Sequence, residues 1–282
     1  MSTTSRNTTT QPDGYVLGRT QPEYERLQAQ SRVWEEATGR LLDQVELARG
    51  ARCLDAGSGP GETMRQLAQR VGPAGEVVGV DVDAALGAQA IAMLHGAGHG
   101  QCSFAAVDLE SEEPIPGAPF DLVHARLLLL HVSDPVAVLR RLWSAVAPGG
   151  HLSVHDYDLS AADVVPPLTT MEEWKRVVLG AFTGAGCDIR TGQRLPLLFA
   201  RAGLGAPDGT DVAGRLEPLR TAGAMLAGVH TSVLPAALAM GLTTPAAAER
   251  WLDGLAQDVR DHGDHSGLWP LLIGAWKRKQ AR

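Results

Sequence analysis

Residues 54–62 read LDAGSGPGE, with glycine at 57, 59 and 61 directly behind Asp55. Glycine reaches positive φ at little cost and, lacking a Cβ, lets a ligand approach the main chain closely. The stretch follows a short apolar run over 51–55 that reads as a strand. It precedes 62–71, where Met64, Leu67, Ala68 and Val71 share one face of a helix. A strand, a glycine turn and a helix start form a cradle for a nucleotide-like ligand at the carboxyl edge of a parallel sheet. The dinucleotide fingerprint G-x-G-x-x-G, counted from Gly57, needs glycine or alanine at 62, where this chain has Glu62. A P-loop needs a lysine that the loop lacks. The loop therefore predicts a nucleoside-like ligand without phosphates, and the nearby carboxylates Asp55 and Glu62 suit an ammonium or sulfonium centre.

Working outward, 77–81 is a run of valines, as expected of a strand buried on both faces, and 84–95 reads as a helix capped by Asp83. A third strand is expected over 102–107 and a fourth over 120–124. A helix over 134–147 has Pro135 at its first position and is broken by Pro148-Gly149-Gly150, before a fifth strand over 151–156. Strands alternating with helices of this length predict an α/β fold, a Rossmann-like parallel sheet with right-handed crossovers. Beyond it, helices are expected over 171–185, 194–202 and 244–261, an Ala/Leu-rich segment over 221–240, and strands over 212–219 and 268–276. On the other side, 24–47 carries apolar residues at helical spacing. The expected organisation is a polar tail (1–14), an N-terminal helical segment (15–47), and one domain (48–282) with helical insertions at about 157–187 and 221–265.

Composition narrows the function. A net charge of −7 supplies no field to attract nucleic acid or an anionic membrane. Three widely spaced cysteines argue against a disulfide framework or a zinc cluster and suit a reducing compartment. The Ser/Thr-rich opening lacks the apolar core of a signal peptide, and the apolar run 127–130 is too short to span a bilayer, so a cytoplasmic protein is expected.

Asp81 lies twenty residues past Gly61, at the end of the second strand, where a carboxylate can accept both hydroxyl hydrogens of a ribose. Asp108 follows the third strand, placed to accept from an adenine amino group, with Leu109 against the ring. Three acids, Asp55, Asp81 and Asp108, each close a strand on one edge of the sheet.

These segments resemble the class I S-adenosylmethionine-dependent methyltransferases, in particular the small-molecule branch with the ubiquinone/menaquinone and natural-product enzymes. The resemblance rests on LDAGSGPG (54–61), VVGVDVD (77–83), AVDLE (106–110), FDLVHARLLLLHVSDP (120–135) and LWSAVAPGGHL (142–152), and further on GQRLPLLFARAGL (192–204) and LWPLLIGAW (268–276). It implies a seven-stranded sheet, five parallel strands and an antiparallel C-terminal hairpin, with S-adenosylmethionine as cofactor and S-adenosylhomocysteine as product. Asp81 and Val82 would take the ribose side, Asp108 and Leu109 the adenine, and Asp55, Gly57, Gly59 and Gly61 the methionine half. Ala125 and Arg126 would line the cofactor's other side, and Tyr15 would fold over it. Methyl transfer to a small acceptor, apolar or aromatic, such as a secondary metabolite or a quinone-like molecule, is the expected reaction. A non-methylating reaction such as a cyclisation, or a nicotinamide-dependent oxidation, is the alternative.

A base is needed only for a poorly acidic acceptor. His131 and His155 are the candidates. An ungapped match to the H-D-W-S-D pattern of phenol O-methyltransferases puts their histidine on Leu130, which favours a structural role for His131. His155 is expected to point toward the acceptor. His262 and His265 read as a solvated loop, and no metal site is expected. The acceptor surface is expected from Trp34, Met171, Trp174, Phe182, Met225, His230 and Met240. Partners implied are the methyl acceptor and, optionally, a second copy of the chain.

Overall fold

The structure, a computed structural model, describes residues 21–281. Tyr15 lies outside the described residues.

The glycine stretch sits at the middle of the molecule. β1 (Arg52–Ala56) precedes it and α3 (Glu62–Val71) follows, flanked on the N-terminal side by α1 (Gln21–Val33) and α2 (Glu35–Asp43). Then come β2 (Glu76–Asp81), α4 (Ala84–Gly96), β3 (Cys102–Ala106), β4 (Phe120–Arg126), α5 (Pro135–Ser144) and β5 (Val146–Asp158). The second half holds β6 (Asp163–Val165), α6 (Thr169–Trp174), α7 (Gly180–Gly184), α8 (Thr191–Arg201), β7 (Gly209–Ala213) and β8 (Leu216–Pro218). It ends with α9 (Leu219–Ala239), α10 (Pro245–Asp261), β9 (Ser266–Leu268) and β10 (Leu271–Arg278).

The main sheet has seven strands in the order β3-β2-β1-β4-β5-β10-β7. β1 to β5 are mutually parallel, while β10 runs antiparallel to both β5 and β7. The β7–β10 pair is separated in sequence by the whole segment 214–270, which forms much of the cover described below. Strand order reverses between β1 and β4, so the crevice outside their carboxyl ends is where this topology places ligands.

Alternation along the strands fills two layers. Leu54, Ala56, Val78, Val80, Val123 and Ala125 face the α5 and α8 side, and Cys53, Val77 and Leu122 face Met64 and Leu67 of α3. Asp83 and Asp134 cap α4 and α5, each accepting two backbone N–H bonds. Thr244 caps α10.

Three boundaries differ from the sequence expectation, each for a reason of sheet pairing. α5 ends at Ser144 and β5 begins at Val146, because the Ala145 carbonyl accepts from Phe120 N at 2.8 Å and draws the chain into the ladder ahead of Pro148. The strand expected over 212–219 is two strands, β7 in the main sheet and β8 in a small sheet of order β6-β9-β8. The strand expected over 268–276 is likewise split into β9 and β10 around Trp269 and Pro270. Proline has no N–H to donate to a ladder.

The small sheet and α6, α7, α9 and α10 pack into a second apolar cluster over the carboxyl edge, built on Trp174, Phe182, Val233 and Trp251. α9, 21 residues long, reaches a mean hydropathy of 1.4 over an 18-residue window and is long and apolar enough, by length and composition, to cross a membrane. In this fold it packs on α10 and α1.

Candidate active site

The loop after β1 is anchored from below. Gly57 N and Ser58 N donate to the Val80 carbonyl at 2.8 and 3.0 Å. Gly57, Gly59 and Gly61 have φ of 71°, 47° and 81°, the left-handed region that glycine enters without strain. Asp81 closes the cradle: one carboxylate oxygen accepts from Gly59 N and the other from Asp83 N, each at 3.0 Å. Each oxygen keeps a second lone pair for a ligand. Burial raises the Asp81 pKa from its ordinary value, and the Asp83 and Gly59 N–H groups partly offset the rise.

α1 closes over this edge by two contacts. The Tyr24 hydroxyl donates to Asp83 at 2.7 Å. The Arg126 guanidinium, at the end of β4, donates to Ser31 Oγ at 2.8 Å and to Thr38 Oγ1 at 3.3 Å. Burial works against the charge on Arg126, and Asp55 and Tyr157 are the main groups that favour it.

Cradle and cover enclose one continuous cavity of about 480 Å³. At its polar end it is lined by Gly57, Gly59, Asp81, Val82, Asp108 and Leu109. Arg126 and His131 lie between the two ends in sequence terms, the first at the end of β4 and the second on the β4–α5 connection. The other end is apolar, with Leu159, Val164, Trp174, Phe182, Met225 and Trp269 among its walls. Deep in this wall Tyr157 accepts a hydrogen bond from Trp34 Nε1 at 2.6 Å. Burial pushes the Tyr157 pKa up to about 12.

Four expected site residues do not reach the cavity. Asp55 is 2% exposed and lies beneath the loop. There burial raises its pKa to about 7, opposed mainly by the Arg126 charge. The Ala125 side chain is wholly buried in the core, since strand alternation sends it the opposite way from Arg126. Gly61 backs onto α4, where an added Cβ would stand 3.0 Å from the Ala90 Cβ. Gly61→Ala should therefore cost about 1–2 kcal/mol of stability, measured by urea unfolding, with little change in ligand affinity.

His155 is the clearest correction. Its ring is wholly buried, edge-on to His124 at 6.0 Å and close under Gly274, and it does not line the cavity. Burial holds its pKa well below the usual range, so it is a neutral core side chain rather than a base facing an acceptor. His131 does line the cavity, in the turn 129–131 whose Leu130 N donates to Asp156 at 3.0 Å. Burial lowers its pKa to about 4, well short of the near-neutral value that suits a general base.

Glu62 is turned toward Arg65, 3.1 Å away, and is not part of the lining, so it does not crowd a ligand as its position in the fingerprint suggested. Of the expected acceptor set, Trp174, Phe182 and Met225 line the cavity. Trp34 and Met171 lie in the apolar cluster behind the wall, His230 stacks on Trp251, and Met240 is exposed. Tyr24, Ser31 and Tyr157 were not expected at all. The only sequence signal for them is their place on the first amphipathic helix and at the end of the fifth strand.

The chain spans about half the length of the curated relatives it matches. One of these, trans-aconitate 2-methyltransferase of Variovorax paradoxus, is 38% identical over 114 residues, 40% of this chain and 41% of the relative. Among solved structures, the YcgJ protein of Bacillus subtilis aligns with a TM-score of 0.56 at 17% identity, over 87% of this chain and 99% of that one. The [4+2]-cyclase SpnF aligns at 0.50 and 20% identity, over 90% and 83%. Both structures share the fold. Residues 47–203, more than half of the sequence, match the family model described as a methyltransferase domain, and the chain belongs to that family, the class I S-adenosylmethionine-dependent methyltransferases that its motifs resemble.

Proposed function

We propose that this protein transfers a methyl group from S-adenosylmethionine to a small acceptor with an apolar or aromatic skeleton. The observation that carries the reading is the continuity of the cavity: a nucleoside cradle opens directly into an apolar chamber. The cradle fits the cofactor in kind. Asp81 keeps lone pairs for a ribose diol, Asp108 and Leu109 line the place for a base, and the donor-only Arg126 is available to a carboxylate.

S-adenosylmethionine, when bound, supplies an activated methyl group and its own leaving group. The chain's part is to hold the acceptor in line and keep water out. Leu159, Val164, Trp174 and Phe182 exclude water from the chamber, and the α1 contacts through Tyr24 and Arg126 close the cradle. With His131 lowered to about 4 and His155 out of reach, the reading needs no histidine base. It favours an acceptor that is nucleophilic as bound. Apolar walls also favour a hydrophobic skeleton over a tricarboxylate such as the substrate named for the Variovorax relative. In this reading residues 48–282 are the catalytic domain, and the segments around 157–187 and 221–265 are its acceptor cover.

Calorimetry should give micromolar binding of S-adenosylhomocysteine and no binding of NADH. Incubation of cell extract with methyl-labelled S-adenosylmethionine should yield a labelled small molecule with matching S-adenosylhomocysteine. Tight NADH binding would replace the reading with a nicotinamide-dependent reaction. Acceptor turnover with no S-adenosylhomocysteine formed would replace it with a non-methylating reaction such as a cyclisation.

A further inference from the structure

The apolar chamber contains a hydroxyl whose hydrogen-bond polarity is fixed by its neighbours. Tyr157, the penultimate residue of β5, lines the cavity, yet is only 7% exposed. Its oxygen lies 2.6 Å from Trp34 Nε1, and an indole N–H can only donate. The phenol oxygen must therefore be the acceptor of that bond, which leaves the O–H hydrogen to be placed elsewhere.

The charged groups whose fields reach this hydroxyl most strongly are Arg126, Arg26 and Asp156. The two guanidiniums are donors and cannot take the hydrogen. Asp156 precedes Tyr157 in β5, so strand alternation puts its carboxylate on the opposite face of the sheet, where it accepts from Leu130 N at 3.0 Å and from Tyr157 N at 2.8 Å. Among the described residues the Tyr157 O–H has no protein acceptor. Leu159, Val178, Phe182, Met225 and Trp269, which line the chamber and belong to or pack against the same apolar cluster as Tyr157, carry no oxygen acceptor in their side chains. Once an occupant displaces solvent from the chamber, leaving this hydroxyl without an acceptor is costly, so a well-bound occupant supplies one.

We infer that Tyr157, set in orientation by Trp34, is the specificity-determining donor of the chamber, and that the methyl acceptor carries a hydrogen-bond-accepting oxygen, such as a carbonyl, on its apolar skeleton. The inference rests on the reading of this chamber as the acceptor site. Trp34 locks the rotor: its edge-on ring, 6.1 Å from that of Tyr157, and its N–H together leave the hydroxyl one direction in which to donate. A ligand oxygen there both satisfies the phenol and fixes the acceptor's angle about the chamber axis, which in-line transfer requires.

A matched pair of probes tests this. 2-Acetylnaphthalene and 2-ethylnaphthalene have nearly the same shape and differ in the carbonyl. Each is titrated into protein saturated with S-adenosylhomocysteine and followed by calorimetry. The wild type should bind the ketone about fivefold to tenfold more tightly than the hydrocarbon, as expected for one net hydrogen bond. Tyr157→Phe should bind the two alike while S-adenosylhomocysteine affinity is unchanged. The infrared carbonyl band of the bound ketone, read in the wild type without any substitution, should lie below its position in hexane. In Tyr157→Phe it should return toward that position. Equal affinities in the wild type, a preference that survives in Tyr157→Phe, an unshifted band, or failure of both probes to bind would each overturn the inference. Failure of S-adenosylhomocysteine itself to bind sinks the cofactor reading instead, and the two probes are then compared on the protein alone.

Discussion

Asp81→Ala should weaken S-adenosylhomocysteine binding by about 1–3 kcal/mol, roughly fivefold to 150-fold in Kd. Two effects add. The outward lone pairs that would accept the ribose hydroxyls are lost, and so are the inward bonds to Gly59 N and Asp83 N, each 3.0 Å long, that join the glycine loop to the start of α4. Asp81→Asn separates the two. An amide keeps one accepting oxygen, so part of the loop geometry survives while the charge assistance is gone, and its affinity should fall between alanine and wild type. Calorimetry at neutral pH decides the matter. Wild-type affinity in both variants would remove Asp81 from the ligand site, whatever the loop looks like.

That prediction was reachable from sequence because the groups involved are local. Asp81 ends β2 and Asp108 lies just past the end of β3, and a parallel strand's carboxyl end is where the chain must turn over the crevice. The caps were legible for the same reason: Asp83, Asp134 and Thr244 each sit one residue before a helix start, and each accepts from backbone N–H groups in its first turn. The φ angles of Gly57, Gly59 and Gly61 were legible too, but not the division of labour among them. Gly57 and Gly59 line the cavity while Gly61 makes room for α4, a contact between residues nearly thirty apart in the chain.

The cover was legible only as apolar helical sequence. Which of its aromatic residues face inward depends on how α6, α7 and α9 pack over the small β6-β9-β8 sheet, a pairing set by residues from three separated segments. Met171 and Trp174 lie on the same short helix, and only Trp174 reaches the cavity. The bond from Trp34 to Tyr157 joins positions 123 residues apart, so no local pattern could announce it. His155 fails as a site residue for a simpler reason. β5 continues to Asp158, past the end expected at 156, so His155 lies well inside the sheet rather than at its edge, paired with Gly274 of β10.

Asp55 stands one strand away from Asp81 and answers a different question. It is buried beneath the loop, its Oδ2 has no hydrogen-bond partner, and burial raises its pKa to about 7 from an ordinary 3.8. A carboxyl whose pKa is higher in the folded than in the unfolded state binds protons preferentially when folded. Its contribution to stability is therefore fully present below about pH 4 and is lost as pH rises through about 7. Asp55→Asn removes that titration. The variant should gain on the wild type as pH rises from 5 to 8.5, by about 2–4 kcal/mol over the window.

Buried histidines work in the other direction. His124 and His131 are lowered to about 3 and about 4, so their contribution is present above the unfolded value near 6.5 and is lost as pH falls. These groups are common to both proteins and cancel in the difference, and any pH-independent offset of the variant shifts that difference equally at every pH and drops out of its change with pH. Urea unfolding of wild type and Asp55→Asn at pH 5, 7 and 8.5 isolates the Asp55 term, and a stability difference that stays constant across the three would refute it. S-adenosylhomocysteine affinity at pH 7 should change far less in Asp55→Asn than in Asp81→Ala, because only Asp81 of the two lines the cavity.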